Sequence, residues 1–245
     1  MVPKRQYSLL PEAGNNVSLS SLSSIQAQLA QLAAATGRPP ARLLAVSKTQ
    51  PASAIAALAA QGQRAFGENY VQEAVDKIGE LAGLGLEWHL IGHLQSNKAD
   101  LAARHFDWVQ SVDRPKLVAA LARHRPPALP PLNVLIQVNI DDEDSKHGCA
   151  PEQILPLAEL IAAQPRLQLR GLMAIPRPHT DPTQSLPAFQ AMAAHQHTLQ
   201  ARYPQVDTLS LGMSADFPQA VSAGATLVRV GSALFGARPA KPASA

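Results

Sequence analysis

Eight apolar, β-like runs recur along this chain, at residues 43–48, 64–68, 87–92, 107–112, 132–140, 167–175, 207–213 and 226–230. Helical patterns fill the spaces between them, for example Pro51–Gln61, Tyr70–Ala82, Arg114–His124, Pro151–Ala163 and Pro182–Ala201. Strands that alternate with helices build βαβ units and a parallel sheet. Eight such units close a TIM (β/α)8 barrel, and 245 residues suit one. An open, doubly wound sheet is the competing α/β architecture, but no G-x-G-x-x-G follows the first strand. Pro51, Pro115 and Pro151 sit at or near the first helical turn, where a missing N–H costs nothing.

The expected organisation is a single barrel domain over residues 17–236, with a loose arm at 1–16 and a frayed tail at 237–245. An extra helix, Val17 to Thr36, precedes the barrel, with Ser18 or Ser20 as its N-cap and Gly37-Arg38-Pro39-Pro40 as its stop. The prolines at 126–127 and 130–131 read as a helix-to-strand loop and not as a domain boundary. A hydrophobic content of 46% against 16% charged residues describes a core-forming chain. The net charge is +3, but Lys and Arg are scattered singly, which argues against a nucleic-acid surface. A single cysteine, Cys149, excludes an intrachain disulfide and fits a reducing cytoplasm. No apolar run is long enough for a signal-peptide core or a membrane span.

In a barrel the C-terminal strand ends converge on one face, where active sites sit. The polar residues expected at that rim are Lys48, Glu68, Asn69, His89, His93, Ser111, Asn139, Met173, Ser214 and Arg229 to Ser232. Lys48 ends the first apolar run, Leu43-Leu44-Ala45-Val46-Ser47-Lys48. A desolvated amine there becomes a nucleophile toward an aldehyde, while the plain alternative is a lysine snorkelling into water. The runs Leu209–Asp216 and Val228–Gly236 stop at Gly and Ser and then turn helical. Serine hydroxyls and backbone N–H groups there can cradle a phosphate, or the pairs simply turn the chain. Barrel closure makes Arg229 on strand eight a neighbour of Lys48 on strand one. An amine, an arginine and a phosphate cradle together point to a phosphorylated aldehyde, with pyridoxal 5′-phosphate the prime example. Arg229 would then face the pyridine nitrogen and, unable to accept its proton, keep it unprotonated; a structural ion pair is the alternative.

His89 and His93 stand four apart, but in a strand and loop without a third ligand nearby, so a metal site is not expected. The polar run Asp141 to Gly148 reads as a solvated loop or as a mobile lid whose Lys146 meets an incoming phosphate or aldehyde. Cys149 at its end reads as a small packed residue.

Together these stretches resemble the pyridoxal phosphate homeostasis proteins. The matching motifs are AVSKTQP (45–51), FGENYVQEA (66–74), WHLIGHLQSNK (88–98), QSVDR (110–114), SKHG (145–148), GLMAIP (171–176), SLGMSADFPQA (210–220) and RVGSALFG (229–236). The resemblance implies a TIM barrel similar to the N-terminal domain of alanine racemase, with Lys48 holding pyridoxal 5′-phosphate as a Schiff base. It implies that Ser214, Gly231 and Ser232 hold the phosphate, with Met213 helping through its backbone. It further places Arg229 at the pyridine nitrogen, Asn69, His93 and Met173 around the ring, and Lys146 in handing the cofactor over. The implied role is buffering the cofactor inside the cytoplasm and delivering it to apo forms of enzymes that use it.

A racemase or related enzyme is the rival reading. A two-base racemase needs an acid/base on the second face of the cofactor, supplied in alanine racemases by a tyrosine of an additional β-domain. Of Tyr7, Tyr70 and Tyr203, only Tyr70 falls near the rim. A carrier that is not a turnover enzyme, and a monomer, is therefore expected.

Overall fold

The computed structural model describes residues 19–143 and 147–236, with side chains from residue 21. The arm at 1–16, the tail at 237–245, Ser18 and Lys146 lie outside the described residues. The chain opens on α1 (Leu19–Thr36), which buries Leu22, Ile25, Leu29 and Ala33 along one helical stripe and packs on a late helix. Ser20 falls inside α1 and so is not its N-cap. Then come β1 (Arg42–Val46), α2 (Ala52–Ala60), β2 (Ala65–Glu68), α3 (Val71–Glu80), β3 (Glu87–Leu90), α4 (Ala99–His105) and β4 (Trp108–Val112). The second half runs α5 (Pro115–His124), β5 (Leu132–Val138), α6 (Ile154–Ala162), β6 (Leu167–Ala174) and α7 (Leu186–Arg202). It closes with β7 (Thr208–Ser210), α8 (Phe217–Ala223), β8 (Leu227–Val230) and α9 (Ser232–Phe235).

The eight strands form a closed parallel barrel in chain order. β8 returns to β1 in the register Arg42↔Leu227 through Ala45↔Val230. This is the expected TIM barrel. The strand runs are all found, most of them trimmed at one or both ends. The trimming matters at Lys48: β1 ends at Val46, so the lysine lies two residues beyond the strand, in a turn, and is only half-buried.

Strand alternation separates two environments. Leu43, Ala45, Phe66, Leu90, Val109, Val134, Ile136, Leu172, Leu209, Val228 and Val230 belong to the large apolar shell shared by sheet and helices. Leu44, Ala65, Ile91 and Leu227 pack in a separate cluster inside the barrel, and Trp108, Leu135 and Met173 form another. The inner space is not filled by hydrocarbon alone: His89, Gln110, Ser210 and Arg229 are buried as well. On the helix side, Arg125 is buried and donates to the Ala103, Phe106 and Pro130 carbonyls. It thereby ties the proline-rich loop before β5 to the end of α4.

Candidate functional site

A cavity of about 320 Å³ opens at the C-terminal mouth of the barrel, a size typical of small-molecule sites. Lys48 and Gln50 after β1, Asn69 after β2 and Ile91 after β3 wall one side. Met213 and Ser214 after β7, and Arg229, Gly231 and Ser232 at the end of β8, wall the other. Seven residues singled out in the sequence thus meet in one cavity: Lys48, Asn69, Met213, Ser214, Arg229, Gly231 and Ser232.

A charged cluster supports the turn that carries Lys48. Lys77 of α3 donates to the Ser47 carbonyl (3.0 Å), to Glu68 Oε1 (2.8 Å) and to Glu73 Oε1 (2.6 Å). The Ser47 hydroxyl donates to Glu68 Oε1 (2.6 Å), and the Thr49 N–H donates to Glu73 Oε1 (2.7 Å). Thr49 has φ 63°, a left-handed conformation that is strained for a β-branched residue. The carbonyl before Lys48 and the amide after it are therefore pinned to α3. Burial pushes the Glu68 carboxyl above its ordinary 4.5, and the hydrogen bonds from Lys77 and Ser47 offset only part of that. Glu68 is fully buried between β2 and α3, so it is not a rim residue as expected.

Arg229 is 3% exposed and points inward from β8. It donates to the Ser210 carbonyl (2.8 Å), the Ser210 hydroxyl (2.7 Å) and the Ala174 carbonyl (2.8 Å). Among the described residues it forms no ion pair, and these three hydrogen bonds to β6 and β7 are what hold it. Burial lowers its guanidinium to about 10, which leaves a cation at neutral pH. On the same wall, the Ser232 hydroxyl donates to the Ser214 hydroxyl at 3.2 Å. Asp216 accepts from the Met213 N–H (2.7 Å) and shapes the turn. Gly212 starts that turn at φ +83°, and a Cβ there would lie 2.8 Å from Phe217 Cα. Gly92 serves Asn69 in the same way, since a Cβ would meet the Asn69 carbonyl oxygen at 2.1 Å.

Other sequence candidates lie elsewhere. His93 is exposed and stacks on His147 (ring centroids 3.7 Å apart), outside the cavity wall. Met173 is fully buried beside Trp108 and Leu135. Neither touches the cavity, because His93 leaves on the loop after β3 and Met173 sits inside β6, short of its end. His89 and Ser111 are not at the rim either: both are fully buried. Asn139 is half-buried and donates to the Glu143 carbonyl (3.0 Å). Cys149 is buried, and desolvation pushes its thiol up to about 12, as befits a packed residue. Tyr70 is 59% exposed and does not line the cavity. Among the described residues, no group of three or more His, Cys, Asp and Glu could hold a metal ion, and no helix is long and apolar enough to cross a membrane.

Sequence reasoning missed Lys77 and Glu73, as well as Gln110 and Ser210. The first pair had a signal: an i,i+4 Glu–Lys pair whose lysine falls on the buried stripe of α3. The second pair had a weaker one, polar residues inside strands that are buried at every position.

The family described as alanine racemase, N-terminal domain, matches residues 20–239. The pyridoxal phosphate homeostasis protein of Escherichia coli K12 is 52% identical over 222 residues, covering 89% of this chain and 95% of the relative. PipY of Synechococcus elongatus PCC7942, solved without pyridoxal phosphate, is 39% identical with a TM-score of 0.80, covering 89% of this chain and 99% of that one. The same protein solved with pyridoxal phosphate bound is 38% identical with a TM-score of 0.78 and the same coverage. The chain belongs to the pyridoxal phosphate homeostasis proteins, a family built on the alanine racemase N-terminal domain.

Proposed function

We propose that this chain binds pyridoxal 5′-phosphate at the barrel mouth, holds it covalently through Lys48, and buffers or delivers it without turnover of its own. One observation carries the reading: Lys48, Arg229, Asn69 and the Ser214–Ser232 pair share a single cavity. The residues present fit the cofactor. Asn69 Oδ1 is buried there without a hydrogen-bond partner among the described residues, which is costly unless a ligand group donates to it. The paired serine hydroxyls offer donors to a phosphate, and Gly231 lets β8 pack closely on β1, where a Cβ would meet the Val46 carbonyl oxygen at 3.2 Å. PipY, which shares the fold at 38% identity, has been solved with pyridoxal phosphate bound.

When bound, the cofactor supplies an aldehyde carbon, an electron-poor ring and a phosphate dianion. Lys48 would hold the cofactor through its amine, the nucleophile suited to an aldehyde. Ser214, Ser232, Gly231 and the Met213 backbone hold the phosphate. Arg229 would stand at the ring nitrogen and, having donors and no acceptor, would donate to it and keep it from carrying a proton. Such a ring would be a weaker electron sink than one paired with an aspartate. His93 and Met173 are left out of the direct contacts. Lys146 is the proposed hand-over residue, apo-enzymes that use the cofactor are the recipients, and the chain acts as a cytoplasmic monomer.

The racemase reading needs a second acid/base opposite Lys48, and no tyrosine among the described residues lines the cavity. Titration of the purified protein with pyridoxal 5′-phosphate tests the proposal, with an alanine racemisation assay run alongside. The expected result is stoichiometric uptake, lost in Lys48→Ala, and no racemisation. Wild-type uptake by Lys48→Ala, or turnover that follows the protein through purification, would overturn it.

A further inference from the structure

A single file of hydrogen bonds runs through the barrel interior from its N-terminal face to Arg229. At the far end, Arg42 pairs with Glu87, the first residue of β3. Glu87 Oε1 also meets His89 Nε2 at 2.7 Å, and His89 Nδ1 meets Gln110 Nε2 at 2.8 Å. Gln110 Oε1 accepts from the Ser210 hydroxyl at 2.7 Å, and that hydroxyl accepts from Arg229 at 2.7 Å. His89, Gln110 and Ser210 are all fully buried, so the links from His89 to Ser210 are shielded from bulk water, and only the Arg42–Glu87 end is open to it.

The chemistry allows this file one direction only. Arg229 has donors and no acceptor, so the Ser210 oxygen must accept from it and send its own proton onward. That proton needs the carbonyl end of Gln110, which turns the Gln110 amide nitrogen toward His89. Facing a donor, His89 Nδ1 must be bare, and its proton sits on Nε2, aimed at Glu87. Neutral His89 agrees with its surroundings. Burial lowers its pKa, its ring stacks on Trp108 at 5.1 Å, and the Arg170 guanidinium covers Trp108 at 5.0 Å. A second proton on His89 would set two donors face to face at Gln110.

We infer that Gln110 and His89 are positioning residues that, through Ser210, hold the Arg229 guanidinium in the orientation it presents to the cavity. The inference rests on the reading above that Arg229 faces the cofactor ring. The ring's electronic state at this site is then set partly from a fully buried chain on which the cofactor has no contact. Gln110→Leu removes both links at once and leaves the cavity wall untouched.

Two measurements test this, one without cofactor. In the apo protein, nitrogen-15 NMR of the His89 ring at neutral pH is expected to show the neutral form with its proton on Nε2. A proton on Nδ1 would contradict the direction of the file and overturn the inference. With pyridoxal 5′-phosphate, Gln110→Leu should still be trapped on Lys48 by borohydride. Its visible band should shift, and its affinity should fall about fivefold to tenfold, the loss of roughly one buried hydrogen bond. Wild-type band and affinity in Gln110→Leu would overturn the positioning role. If that variant does not fold, Ser210→Ala breaks the link next to Arg229 and is read the same way. Failure of the wild-type protein to take up the cofactor would sink the functional reading instead, while the histidine tautomer would still decide the direction of the file.

Discussion

Two polar clusters enter the apolar body, one on each face of the same sheet, and they are built differently. Beneath Lys48, in the shell between barrel and helices, the cluster is ionic: Glu68, Glu73 and Lys77 share hydrogen bonds within 3.0 Å. Beneath Arg229, inside the barrel, the links are a serine, a glutamine and a neutral histidine, with charge only at the two ends. The shell has helices that can carry partners to the strand and reach water, and the Glu73 side chain is 30% exposed. The interior file reaches water only at its N-terminal end, where the Glu87 side chain is 33% exposed, while His89, Gln110 and Ser210 are fully buried. Charge is therefore matched on the spot in the shell and passed along by neutral dipoles in the interior. Both solutions serve the same cavity, one by fixing a turn and the other by fixing a cation.

The contrast can be broken most strongly at Lys77. Lys77→Met leaves Glu68 buried without its cation, and urea unfolding should show a loss of about 3–5 kcal/mol. The double variant Glu68→Gln/Lys77→Met should recover most of it. A single variant as stable as wild type would mean that the cluster is not a desolvated ion set. A smaller effect is expected at Glu73. Glu73→Gln weakens charged hydrogen bonds to Lys77 and to the Thr49 N–H, which should cost roughly 1.5–3 kcal/mol by the same assay and weaken cofactor uptake. Equal uptake would show that the turn at Thr49 does not set Lys48.

The smallest effect concerns pH and the interior. The native pKa of His89 lies below its ordinary 6.5, so the unfolded chain takes up that proton first. Its contribution is level above 6.5, and stability falls as pH drops below that value. Glu87 does not interfere in that window. Burial alone would raise its carboxyl, but the hydrogen bond from His89 and the Arg42 cation hold it below its ordinary 4.5, so its contribution fades only in stronger acid. His89→Gln should flatten the stability profile just below pH 6.5 in urea titrations. An unchanged slope would mean that the histidine is not held neutral.

The barrel was legible because strand and helix periods differ and the alternation repeats eight times. Lys48, Ser214, Arg229 and Ser232 were legible because each breaks an apolar run near a strand end, where a barrel puts its chemistry. His89 and Met173 were misplaced because apolar runs do not mark where a strand meets the rim; a shift of one or two residues decides between cavity and core. Gln110 and Ser210 stayed hidden because their meaning lies in each other, a hundred residues apart in sequence. Lys77 looked like any lysine on an amphipathic helix until β2 set Glu68 opposite it.

The central claim is that Lys48 is the covalent anchor for pyridoxal 5′-phosphate. Borohydride reduction of the cofactor-loaded protein, followed by peptide mass mapping, tests it most directly. The account predicts loss of the visible band on reduction and one pyridoxyl group, carried by the peptide containing Lys48. A pyridoxyl group on another lysine with Lys48 unmodified, or no adduct at all, would contradict it.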